Sequence, residues 1–321
     1  MKLLKKAALL TVTSIALTGM AQTAAWAAPK DASDPISIVL NDWSSQLVTA
    51  YIAGDLFEKM GHKVNYVQAD AMAQFAGLET GDLAVQVEIW PTTQWARFTE
   101  AVNSGNVLDL GESGVAAREE WWYPDYMVEY CPGLPDWTAL KDPKCAEAFS
   151  SVETAPKGRY LGAPVSWEGF DEERVKALGL PFEVVHAGSD ISLVGEITSA
   201  YRRKAPIMAW FWVPHWWPTQ MKGDFVQFPK YEPACYEDPS WGINPDMAHD
   251  CGKPYGILHK AAWAGGKEIW PDAYAMLSKM ALTDDMAAEF FRLVEQDGQE
   301  PQDVAKQWIK DNEAVWSQWM K

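Results

Sequence analysis

Two apolar runs in this chain, each with the character of a buried strand, finish alike. Residues 83–89 run into Trp90-Pro91, and residues 206–212 end on Trp212, with Pro214 two positions on. Proline withdraws a ladder donor and tryptophan is seldom fully buried, so each run closes by presenting an indole at its carboxyl end. The elements around the two runs also repeat. Ahead of the first come a strand at 36–40 and a helix capped by Ser44 or Ser45, with Leu47, Val48, Tyr51, Ile52 and Leu56 on its apolar face and Gly61 at its end. A strand at 64–67 and a helix at 72–80 follow, and after Pro91 a helix runs from Thr92 to about Ser104. Ahead of the second come a strand at 159–165, a helix at 172–178, a strand at 182–185 and a helix at 191–203. A βαβαβα order followed by a second, βαβαβ pass predicts an α/β protein of two lobes, each with a mainly parallel sheet. Ligands of such sheets sit beyond the carboxyl ends of the strands, so an indole from each lobe would face a ligand between them.

The second run lies in the decapeptide Ala-Trp-Phe-Trp-Val-Pro-His-Trp-Trp-Pro at 209–218, with four indoles in eight positions. Indole faces stack on sugars and bases, and they enclose cations that have no proton to donate. With 44 acidic against 27 basic side chains and a net charge of −17, the chain is unsuited to the phosphate contacts on which nucleic-acid affinity rests. The remaining readings are a cage for a quaternary ammonium group or, alternatively, a secreted carbohydrate-binding or glycan-active protein with tryptophan platforms. Nucleophile-elbow, zinc-protease and glycine-rich phosphate-loop motifs are absent from the sequence, as is Cys-x-x-Cys. The expectation is therefore a binding protein, not an enzyme, with neither cofactor nor metal.

Residues 1–27 read as a cleaved signal peptide. Lys2, Lys5 and Lys6 precede a short apolar core, and Ala25-Trp26-Ala27 forms a small-x-small cleavage site. Export to a periplasm follows, and an oxidising compartment makes disulfides of the four cysteines. Three pairings are possible, and proximity favours Cys131–Cys145 and Cys235–Cys251. The segment 229–254 reads as irregular and stapled, with a short strand at 255–258 leading back to the first lobe. Three helices at 273–280, 284–296 and 301–320 close the chain, and Trp308, Trp316 and Trp319 are read as core packing.

Together, Asn41-Asp42-Trp43-Ser44-Ser45, Ile89-Trp90-Pro91-Thr92, Gly162-Ala163-Pro164-Val165-Ser166-Trp167, Trp212-Val213-Pro214-His215-Trp216 and Pro254-Tyr255-Gly256-Ile257 resemble a known family. It is the family of substrate-binding proteins of ABC importers for glycine betaine, choline and related compatible solutes. The resemblance implies a type II-like, two-lobed periplasmic-binding-protein fold with two crossovers and a ligand in the interlobe cleft. Lobe I would comprise 28–124 and 255–321, and lobe II 125–254. It also implies a monomer that serves an ABC permease in the inner membrane. Carried over, Trp43, Trp90, Trp167 and Trp212 would form an ammonium cage, with His215, Gln94, Ser45 and Ser166 as polar partners of the ligand. Ser45 stands where choline-type members carry an acid, and Gln94 where some betaine-type members carry a histidine. Glu88 shares a strand face with Trp90 and is read as solvated.

Overall fold

The computed structural model describes residues 30–321. The leader assigned to residues 1–27 lies outside the described residues. In chain order the elements are β1 (Ile36–Leu40), α1 (Ser44–Lys59), β2 (Val64–Gln68), α2 (Gln74–Thr80), β3 (Val85–Ile89) and α3 (Trp95–Asn103), then the long β4 (Val107–Pro124). Next come β5 (Pro132–Pro135), α4 (Pro143–Ala148), β6 (Gly158–Gly162), α5 (Asp171–Leu178), β7 (Phe182–His186), α6 (Asp190–Arg203) and β8 (Ala209–Val213). The chain finishes with β9 (Gly223–Phe225), α7 (Pro233–Glu237), β10 (Tyr255–Trp263) and the helices α8 (Gly266–Ile269), α9 (Pro271–Lys279), α10 (Asp284–Phe291), α11 (Pro301–Asp311) and α12 (Glu313–Trp319).

The sheet order β2-β1-β3-β10-β4-β8-β6-β7, with β9 on β4, makes the repetition physical. Two parallel blocks, β2-β1-β3 and β7-β6-β8, stand at opposite ends. Each meets an antiparallel strand, β10 or β4, and these two pair with each other. Register shows where the blocks point. Ile89, at the end of β3, lies opposite His259, which itself faces Glu112 of β4. Val213, at the end of β8, lies opposite Arg118. The carboxyl ends of β3 and β8 thus approach the same short stretch of β4 from opposite directions, which is the placement that two strand-end indoles require.

β4 was not legible in the sequence. Its 18 residues include Gly111 and Gly114, at φ 88° and 89°, and four acids, a composition that reads as turn. At Gly114 a Cβ would meet the Leu282 carbonyl oxygen at 2.6 Å, so the strand bends where only glycine fits. Pairing on both sides supplies what local propensity lacks. β10, expected as four residues, has nine for the same reason. Two expected tail helices divide: 284–296 becomes α10 followed by a π turn over Arg292–Gln296, and 301–320 breaks at Asn312 into α11 and α12. Trp308 and Trp319 stack at 5.7 Å within the core, as expected.

Both disulfides form as proximity indicated, Cys131–Cys145 and Cys235–Cys251. Among the described residues no helix is long and apolar enough to cross a membrane.

Candidate functional site: an indole box between the two strand blocks

Four tryptophans reach the convergence point from four elements. Trp43 sits in extended backbone between β1 and α1, and Trp90 follows β3. Trp167 ends the turn Val165–Trp167 after β6, and Trp212 lies in β8. The arrangement repeats like the sheet: each block offers one indole after its middle strand and one from its inner strand. All four are at least nine-tenths buried. Trp43 and Trp167 meet edge to face at 5.7 Å and 76°, Trp167 and Trp212 at 5.9 Å and 80°. Near-perpendicular rings make a box, where a sugar platform would need a flat open face. With Thr93, Gln94 and Glu119 the four indoles line a small cavity, with about 300 Å³ of atom-free space when the adjoining open solvent is included.

The first-block indoles are oriented by one carboxylate. Trp43 Nε1 donates to Glu88 Oε2 at 2.8 Å and Trp90 Nε1 at 3.4 Å, joined by Ser45 Oγ at 3.0 Å, while Thr49 Oγ1 reaches Oε1 at 3.3 Å. Glu88 is 2 % exposed, which corrects its reading as a solvated residue. Burial raises its pKa, and the four donors oppose that shift. A carboxylate accepting indole N–H bonds also polarises the rings toward greater electron density on their faces. Alternation along β3 put Glu88 and Trp90 on one face. The missing signal was that Ser45 and Thr49, one helical turn apart on α1, would face the same acid.

The second-block indoles are held differently. Trp167 Nε1 donates across the cleft to Asp42 Oδ1 at 2.9 Å. Trp212 is wedged among aromatic rings, 4.9 Å from His215, 5.7 Å from Phe291 and 6.0 Å from Trp217. His215 in turn lies 3.0 Å from Glu295 Oε2 of the π turn, which also accepts Trp216 Nε1 at 3.0 Å. Burial drives the His215 imidazole well below its usual pKa and pushes Glu295 up to about 8. Nearby, Asp190 of α6 accepts the Ser44 backbone N–H and hydroxyl at 3.3 Å each, and burial raises its pKa well above the carboxylate range. Asp42, Ser44 and Glu295 thus tie the first block and the tail to the second.

Glu119 of β4 is the acid that borders the cavity. Burial is the main cause that pushes its pKa up to about 7, against the Thr92 hydroxyl bond and the nearby Lys253 ammonium. Near neutrality it exists in both forms and can donate a proton or attract a cation. Sequence reading missed it because it lies in the unrecognised strand.

Of the eight residues named from sequence, Trp43, Trp90, Trp167, Trp212 and Gln94 line the cavity; its lining does not include Ser45, Ser166 or His215. Ser45 is engaged by Glu88 and His215 is close to Glu295, while Ser166 is half-buried in the Val165–Trp167 turn. Trp210 and Trp217 are wholly buried and do not line the cavity.

Residues 34–311 match the family model described as the substrate binding domain of ABC-type glycine betaine transport systems. The trimethylamine N-oxide-binding protein of Pelagibacter ubique is 35% identical over 299 residues, covering 91% of this chain and 92% of that one. The glycine betaine- and L-proline-binding protein of Borrelia burgdorferi superposes with a TM-score of 0.70 at 17% identity, covering 90% of this chain and 97% of that one. Lactococcal OpuAC, closed on glycine betaine, gives 0.65 at 20% identity over 90% and 100%. A choline-binding protein in complex with choline gives 0.68 at 18% over 89% and 91%. Fold, repeated blocks and family model agree: the chain belongs to the substrate-binding proteins of ABC-type glycine betaine transport systems.

Proposed function

We propose that this protein captures trimethylamine N-oxide outside the cytoplasm and presents it, chemically unchanged, to an ABC permease. The observation that carries the reading is the box itself: four indoles from both blocks around one small cavity, with Glu119, Gln94 and Thr93 as its polar side chains. A trimethylammonium head has no N–H to offer, and aromatic faces attract its diffuse charge while fitting its methyls. At about 1–2 kcal/mol per desolvated face, four faces supply about 4–8 kcal/mol. Micromolar binding takes about 8 kcal/mol, so the N-oxide oxygen needs only one or two hydrogen bonds more.

Glu119 separates the candidate ligands. A betaine carboxylate would confront a second carboxyl group, with His215 outside the lining. An N-oxide oxygen is a strong acceptor, and a Glu119 carboxyl with its pKa pushed up to about 7 can donate to it. Kinship with the N-oxide-binding relative supports the same choice.

Lobe I, 28–124 with 255–321, and lobe II, 125–254, close on the ligand as a clamshell, with β4 and β10 as the connecting strands. Residues 1–27 direct export to the periplasm and are removed, and the protein works as a monomer without catalysis. Calorimetric titration with trimethylamine N-oxide, glycine betaine and choline tests the reading. The N-oxide should bind tightest near pH 6 and weaken by roughly tenfold near pH 8.5, because Glu119 loses its proton above about 7. Tighter binding of glycine betaine at both pH values would contradict it.

A further inference from the structure

Behind the first-block wall lie four buried carboxamides, Asn41, Gln46, Gln74 and Gln86, and Gln94 is the fifth in the chain they form. An amide can face either way, and its hydrogen-bond partners decide which. Here backbone groups decide, because a carbonyl only accepts and a backbone N–H only donates. Gln46 Nε2 donates to the Val39 carbonyl at 2.8 Å, and its Oε1 accepts the Asn41 N–H at 2.9 Å. Asn41 Nδ2 donates to the Ala69 carbonyl at 2.8 Å. Gln86 Oε1 accepts the Val87 and Glu88 N–H groups at 2.7 and 3.1 Å. Gln74 Nε2 donates to the Ala71 carbonyl at 2.7 Å.

With those ends fixed, the links among side chains run one way. Gln46 Nε2 donates to Gln86 Oε1 at 3.0 Å, Gln86 Nε2 to Asn41 Oδ1 at 2.8 Å, and Asn41 Nδ2 to Gln74 Oε1 at 3.0 Å, where Gln86 Nε2 also donates. Gln74 Nε2, the last donor, meets Gln94 Oε1 at 3.1 Å. Gln94 must therefore turn its oxygen inward. Its NH2 group makes no hydrogen bond among the described residues and is left to the cavity that Gln94 lines.

We propose that the carboxamide chain sets Gln94 as an obligate N–H donor to the ligand oxygen, with Gln74 as the positioning residue that imposes this polarity. The inference rests on the reading that the box holds an oxygen-bearing methylated ammonium. None of these five groups titrates, so the donor persists at any pH, unlike Glu119. It selects for a solute with an acceptor oxygen close to its ammonium centre and does nothing for a bare cation.

Trimethylamine N-oxide and tetramethylammonium are the probes, since the second replaces the oxygen by a methyl. In Gln94→Met the ratio of N-oxide to tetramethylammonium affinity should fall about tenfold, the scale of one hydrogen bond to a charged group. Gln74→Glu places an acceptor where Gln74 Nε2 donates, so Gln94 should reverse and the ratio should fall similarly although no cavity atom has changed. In the unaltered protein, the side-chain 15N–H signals of Gln94, identified by their loss in Gln94→Met, should shift with the N-oxide and hardly with tetramethylammonium. That measurement holds even where a variant folds poorly. An unchanged ratio in both variants, or Gln94 signals that ignore the N-oxide, overturns the inference while leaving the box intact. Failure of the unaltered protein to bind either probe overturns the box reading and this inference with it.

Discussion

The two walls of the box present the same ring type and are built by opposite means. On the first-block side a single carboxylate, Glu88, accepts both indole N–H groups, so two rings share one anchor. On the second-block side Trp212 is wedged among His215, Trp217 and Phe291, and Trp167 packs edge to face on Trp43 and Trp212 while its N–H donates to Asp42 across the cleft. Hydrogen bonds fix ring direction without demanding close packing. Packing fixes position through many weak contacts, none decisive. The first wall should therefore fail all at once when one group is lost, and the second should degrade by steps.

Glu88→Ala is the sharpest way to break that contrast. It strands two indole N–H groups and two hydroxyls in a buried site, and unsatisfied buried donors cost about 1–3 kcal/mol each. Affinity for trimethylamine N-oxide, read by calorimetry, should fall by roughly a hundredfold as two faces lose their aim. The melting temperature should drop as well. A loss no greater than that of one indole would mean that the rings are held by packing on this side too.

A smaller effect is expected from pH on the second wall. Glu295 is pushed up to about 8, above its unfolded value of 4.5, so the folded state binds its proton more tightly. The stabilisation is complete below the ordinary carboxylate range and disappears as pH rises through about 8. Between those limits the group contributes a decline of up to about 1.4 kcal/mol per pH unit. Thermal melts from about pH 5 to pH 9 should show this fall, and Glu295→Gln, which cannot titrate, should flatten it. An equally steep fall in that variant would place the cause in another acid. The smallest effect belongs to Trp167→Phe, which keeps an aromatic face and loses the N–H bond to Asp42. Affinity should weaken about threefold, mainly through faster release, as expected for one exposed-side hydrogen bond.

The repeated block, the strand-end indoles and both disulfides were legible because each is a local pattern: alternation, a proline stop, a short spacing. β4 was not, since its glycines and acids acquire strand geometry only from partners on both sides, and Glu119 was lost with it. Glu88 was visible but misjudged. An acid on a short strand reads as solvated until Ser45, Thr49 and two indoles are known to surround it. His215 illustrates the converse. Its sequence context pointed to the ligand, whereas Glu295 and Phe291, from the tail of the chain some 80 residues on, close against it.

Charge, and not apolar fit alone, is what four electron-rich faces should reward. Calorimetric titration with trimethylamine N-oxide and with tert-butanol, its uncharged carbon isostere, isolates that contribution at nearly constant shape. The N-oxide should bind at least roughly a hundredfold more tightly, the sum expected of several desolvated cation–π contacts. Equal affinity for the two would contradict a cation-binding box and leave the tryptophans as the lining of an ordinary apolar pocket.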